Sequence, residues 1–255
     1  VVESPRIKNG RFALLAMVAA AGGLSMLYAS PRPEIDVWDI QMRGAEALMQ
    51  GINPYTSVTV PDTDPESVMT IPYVYPPPAL YVGVLGLVLG KDVRVALLIA
   101  ILVAGFALRA IAKRSFDGPA LIVDAPALLF WFSPIIFFIL DKAWIDPVQV
   151  MLISVGSALF ANKRRLSGAM VIGAAVASKQ SMFWLIPFVG FGMRLKPREW
   201  AAMFGATAAL LLPFVVWDFA RLKYCNFDFM SGLPPRSDAL AFAPFIQRTF
   251  HAAFP

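Results

Sequence analysis

The charged residues of this chain are bunched, and long stretches between them carry none. No Asp, Glu, Lys or Arg occurs at positions 12–30, 76–90, 95–108, 125–140, 147–161, 166–178, 180–193 or 200–217. A helix that crosses a bilayer needs about 20 apolar residues, with roughly 17–25 tolerated. The first and last runs meet that length. Several middle runs are short and must borrow flanking residues, tilt, or enter without crossing. The pattern predicts an all-α fold, a polytopic transmembrane helical bundle that forms a single domain over residues 1–255. Arg6, Lys8 and Arg11 precede the first run as they would in a signal peptide. That run is too long for one and more follow, so an anchoring helix is expected.

A polar segment, residues 31–75, separates the first two runs. With the basic N-terminus cytoplasmic, this first loop lies outside. It opens with a helix predicted from Asp36 to about Gln50, ended by Gly51 and the turn-forming Asn53-Pro54. At 100° per residue, Asp36, Asp39, Arg43, Glu46 and Gln50 share a stripe about 80° wide. Val37, Trp38, Ile40, Met42, Ala45, Leu48 and Met49 fill most of the remaining face. That is the pattern of an outer-surface amphipathic helix lying flat on the membrane. Residues 56–75 read as irregular loop, with Tyr73 and Tyr75 at the interface.

Basic clusters at 6–11, 113–114, 163–165 and 194–198 mark cytoplasmic loops. Residues 115–162 then cross and return, with 141–146 at the far side. Residues 166–193 are too few for two full crossings, so two short helices are expected with Lys179 near their apex. The runs at 76–90 and 95–108 look like two spans, which would put Lys113 outside unless one is partial. Residues 218–255 read as an outer or interfacial segment.

Composition supports the membrane reading. Hydrophobic residues make up 58% and charged ones 15% of the 255, against about 45–50% and roughly a quarter in soluble domains. The net charge of +5 follows from the cytoplasmic clusters and implies no nucleic-acid partner. The single cysteine, Cys225, allows no internal disulfide. Val1 at the start, and Pro255 soon after a hydrophobic stretch, lead to the expectation of a trimmed or partial chain.

Few residues can carry chemistry. Asp36 serves either as a helix N-cap or as a general base at the bilayer surface. Trp144-Ile145-Asp146-Pro147, after Asp141 and Lys142, is either a polar turn or part of a site; Asp146 before Pro147 can also start the next helix. A lysine at membrane depth costs about 2.5–3.5 kcal/mol, so Lys179 either snorkels or faces a cavity, where it could hold a phosphate. His251, the one histidine, reads as an interfacial side chain. No HExxH, cysteine cluster, Walker loop or dinucleotide fingerprint occurs. No cofactor is therefore implied, although room for a divalent ion remains. The small-residue stretches 20–23 and 168–177 suit close helix packing.

Taken in order, several strings resemble a known family. Ile35-Asp36-Val37-Trp38, Gly44-Ala45-Glu46-Ala47-Leu48, Gly51-Ile52-Asn53-Pro54-Tyr55 and Tyr75-Pro76-Pro77 are similar to the first outer loop of GT-C membrane glycosyltransferases. The likeness is greatest to the family-87 mannosyltransferases, and it continues through Trp144-Ile145-Asp146-Pro147 and Ala177-Ser178-Lys179-Gln180. The resemblance implies a GT-C-like bundle in the inner or plasma membrane, its site facing the periplasm or exterior. It implies transfer of a sugar, mannose or another hexose or pentose, from a polyprenyl-phosphate donor to a lipid or glycan acceptor. By motif position Asp36 is the base, with Asp39 a second acid beside it. Lys179, or Lys142 or Arg43, would offset charge on the leaving phosphate. Asn53, Tyr55, Tyr75, Trp144, Asp146 and Gln180 would line the pocket. A transporter or flippase for a lipid-linked sugar, or a non-catalytic membrane partner, are the competing readings.

Overall fold

The computed structural model describes residues 5–62, 69–116, 118–233 and 249, so His251 lies outside the described residues. The chain is helical almost throughout. In order come α1 (Pro5–Ala29), α2 (Asp36–Met49), α3 (Pro54–Ser57), β1 (Thr59–Pro61), β2 (Thr70–Pro72), α4 (Pro77–Gly90), α5 (Val93–Ser115), α6 (Ala120–Trp131), α7 (Pro134–Asp141), α8 (Asp146–Ala161) and α9 (Arg165–Ser178). A 3-10 turn, Gln180–Trp184, then leads to α10 (Leu185–Gly192), α11 (Pro197–Lys223), a π-type turn (Tyr224–Asp228) and α12 (Phe229–Ser231). Among the described residues, four helical stretches are long and apolar enough to cross a membrane: Asn9–Ala29, Val93–Ser115, Ala120–Asp141 and Pro197–Ser231.

Hydrogen bonds between helix ends define two ends of the bundle. At one of them Arg109, late in α5, donates to Asn9 of α1 at 3.3 Å and to Asp124 of α6 at 2.6 Å. Arg114 donates to Asn162 just after α8 at 2.9 Å, and Arg165 at the start of α9 holds Glu199 of α11 at 2.8 Å. This basic end gathers residues 109–114, 163–165 and 194–198 with the start of α1. At the other, the loop end, Asp141 lies beside Ser30 and Arg94. There too Gln180 donates to Val74 O at 3.0 Å and to Asn226 O at 3.1 Å.

This settles where Lys113 lies: it shares the basic end with Lys163, because α5 starts at the loop end and α4 has both its ends on that side. Helix α4 has 14 residues, about 21 Å of helix, and leaves through the two-residue turn Lys91-Asp92. Lys91 is left-handed there (φ 58°), and Asp92 caps α5 by accepting from Arg94 N at 2.8 Å. The expected pair of short helices with Lys179 at the apex is also present: α9 stops at Ser178, and Lys179 is extended (φ −155°, ψ 140°) before the 3-10 turn.

Two readings need correction. Helix α2 begins at Asp36 as expected, but it does not rest its apolar face on a membrane. Ile40, Gln41, Gly44 and Ala45 are buried against protein, because Gly44 leaves room for the Tyr73 ring and Gly83 of α4 admits Ala45. Residues 56–75 are not all irregular: β1 and β2 pair antiparallel with Val60 opposite Ile71. The chain breaks at the residue where the outer segment is expected to begin: Asp218 is non-helical (φ −162°, ψ 91°) and kinks α11 between two helical stretches. Beyond the kink Leu222 and Cys225 are buried in a cluster with Tyr55, Tyr73 and Ile40.

A second cluster, around Phe12 of α1, Leu97 and Ile101 of α5 and Trp131 of α6, forms the core of the bundle. The Trp131 indole donates to Ile101 O at 3.0 Å, and Gly105 supplies the space for its ring.

Candidate functional site

The residues that interrupt apolar runs converge at the loop end. Asp36 is the first residue of α2, where its Oδ1 accepts from Val37 N at 2.8 Å; the N-cap position belongs to Ile35. The capping role that spacing allowed for Asp36 is therefore not the one it fills. Asp146 is the first residue of α8, next to Pro147, whose fixed φ suits the opening turn. Lys179 Nζ donates to Asp146 Oδ1 at 2.8 Å, with both side chains partly open to solvent.

Tyr75 lies within electrostatic reach of both carboxylates. Its backbone is pinned on both sides: Tyr55 Oη donates to Tyr75 O at 2.8 Å, and Gln180 Nε2 donates to Val74 O at 3.0 Å. Its ring meets Tyr73 edge-on at 6.0 Å. Burial, then the charge of Asp36, then that of Asp146 push the Tyr75 phenol well above its ordinary pKa. The group therefore stays a protonated hydrogen-bond donor at any physiological pH. Asp36, not Asp39, is the α2 carboxylate that acts on it.

Behind this polar group an apolar cavity of about 400 Å³ opens between α9 and α11. Val176 and Ala177 of α9, Phe183 of the 3-10 turn, and Leu211, Val215 and Phe219 of α11 line it. Lys179, Gln180 and Asn226 sit where it meets the loop end. Lys223 also lines it, but is held by Asp228 at 2.6 Å.

Other expected site residues fall elsewhere or serve structure. Arg43 lines a separate shallow groove with Glu46 and Gln50. Lys142 pairs with Asp141 at 3.0 Å, and Trp144 is partly exposed, edge-on to Phe138 at 5.5 Å. Asn53 caps α3 by accepting from Tyr55 N at 3.0 Å. Tyr55 is buried and acts on the site through Tyr75. Asn226 was not anticipated; its carbonyl and side-chain oxygens both accept from Gln180, at 3.1 and 3.2 Å. Among the described residues, no cluster of three or more His, Cys, Asp or Glu is arranged to hold a metal.

A carboxylate pair around a fixed tyrosine, with one ammonium at the head of a greasy slot, can bind an amphiphile. The slot accepts a hydrocarbon tail, the ammonium an anionic headgroup, and a carboxylate a proton. No family model matches the chain, and no curated protein matches it.

Proposed function

We propose that this chain is a multi-pass membrane glycosyltransferase that takes a sugar from a polyprenyl-phosphate donor and passes it to a lipid or glycan acceptor. The site faces the periplasm or exterior, since the basic end answers to the cytoplasmic side. The observation that carries the reading is the placement of Lys179 at the polar end of the apolar cavity, bonded to Asp146, with Tyr75 in the electrostatic reach of both Asp36 and Asp146. The family resemblance of the motifs agrees with it.

The polyprenyl tail occupies the cavity and its phosphate meets Lys179. Asp36 takes the proton of the acceptor hydroxyl as the oxygen forms a bond to the anomeric carbon. The bond from that carbon to the phosphate oxygen breaks, and the electron pair leaves with the lipid phosphate, which Lys179 stabilises. Configuration at the anomeric carbon inverts.

The test is transfer in membranes, with radiolabelled polyprenyl-phosphate mannose as donor and crude envelope lipids as acceptor. Asp36→Asn is expected to lower transfer by about 10²–10⁴-fold, the usual contribution of a general base, whereas Asp39→Asn retains most of it. Full transfer by Asp36→Asn would remove Asp36 as the base. Donor carried across the membrane unmodified by the wild type would replace the transferase reading with transport.

A further inference from the structure

The ammonium that meets the phosphate is already engaged. Lys179 gives a 2.8 Å bond to Asp146, and Lys223, the other cation lining the cavity among the described residues, is matched by Asp228 at 2.6 Å. Among the described residues, the head of the cavity thus presents Lys179 with its charge faced by the Asp146 carboxylate. That pairing leaves little net positive charge there for a phosphate.

This rests on the phosphate-lipid reading above and goes further. We propose that Asp146 is a charge-discriminating residue: it lets Lys179 hold a singly charged phosphodiester and repels the more highly charged phosphomonoester that transfer leaves behind. A sugar-linked lipid phosphate carries one negative charge, whereas a phosphomonoester carries about −1.5 to −2 near neutral pH. During transfer the electron pair of the broken bond stays on the phosphate, while the acceptor's proton moves to Asp36. Asp36 is neutral at that moment, so Asp146 is the carboxylate that still opposes the product. The same side chain that dampens Lys179 for the donor thus favours departure of the spent lipid.

Other features of the molecule point less far. The buried Arg94 is matched bidentately by Asp92, and the groove at Arg43 is shallow and exposed.

The discriminating experiment uses the full chain in neutral phosphatidylcholine nanodiscs at pH 8, with citronellyl phosphate and its methyl diester as probes. The wild type is expected to bind the diester more tightly than the monoester. In Asp146→Asn the monoester is expected to gain about tenfold in affinity and the diester clearly less, since one repelling charge has gone. Lys179→Gln weakens both. An unchanged monoester-to-diester ratio in Asp146→Asn overturns the proposal and leaves the phosphate-lipid reading standing. So does a wild type that prefers the monoester, a result that needs no variant to fold. Binding of neither probe by the wild type overturns both.

Discussion

A phenol that stays protonated is a dependable hydrogen-bond donor, and Tyr55 shows how one is used to build a site. Its hydroxyl is committed to Tyr75 O at 2.8 Å, and its ring lies edge-on to Tyr73 at 5.5 Å and to Phe214 of α11 at 5.6 Å. Burial pushes its pKa far up, so the bond persists across the working pH range. Tyr55→Phe keeps the ring and loses the bond. It is expected to cost about 0.5–1.5 kcal/mol of stability and to raise the KM for donor with little change in kcat, measured by thermal unfolding and steady-state transfer. Loss of kcat alone would give Tyr55 a different part. Asp146, Lys179 and Gln180 could be picked out of the sequence because they interrupt apolar runs, and Asp36 and Tyr75 because they stand in the motifs of the first loop. Lys142 and Arg43 were marked in the same two ways, yet they lie elsewhere, because distance along a chain does not report distance across a bundle. Asn226 gave no signal: it falls in a segment rich in polar residues, where one more amide creates no contrast.

At the level of elements, the wall of the cavity depends on how closely α9 and α11 approach. Thr207 Oγ1 donates to Gly173 O at 2.8 Å across that contact, and a methyl on Gly173 would collide with the backbone of Met203. A backbone atom cannot swing aside as a side chain can, so the helices would have to part. Gly173→Ala is expected to cost about 1–3 kcal/mol and to lower Tm, while also loosening donor binding by widening the slot. Gly205→Ala, where nothing stands within 4 Å, serves as the control on α11 and should leave stability unchanged or slightly raised. Equal behaviour of the two variants would mean that the α9–α11 approach is not tight. The small residues of 168–177 announced this packing in the sequence, because membrane helices need them to come close. The three-residue strands β1 and β2 were hidden, being too short to show an alternation. A break at Asp218 was legible as the end of the apolar run 200–217, but its form was not: α11 carries its proline at Pro213, yet its non-helical residue is Asp218, whose Oδ1 accepts from Arg221 N at 3.0 Å and so caps the turn that follows.

For the whole molecule, the question is which end of the bundle Lys113 shares. Counting apolar runs places Lys113 outside, because 76–90 and 95–108 each resemble a span. Bonding between helix ends places it with the basic clusters, because Arg109 and Arg114 on the same helix reach Asn9 and Asn162. The difference lies in α4, whose composition is that of a span while both its ends lie at the loop end: Val74 just before it is held by Gln180, and Arg94 just after it lies beside Asp141. With α4 set aside, all the basic clusters fall on a single face, as the bias of lysine and arginine toward the cytoplasm requires. The orientation is read with single cysteines placed in Cys225→Ser protein and a thiol reagent that does not cross membranes. Cysteines at Gln50 and Trp144 are expected to label in intact cells, and those at Lys113, Lys163 and Arg194 only after permeabilisation. Labelling of the Lys113 position in intact cells, together with Gln50, would mean that α4 crosses. The helix-end bonds of α5 would then be wrong, and with them the placing of Asp36, Asp146 and Lys179 around one headgroup.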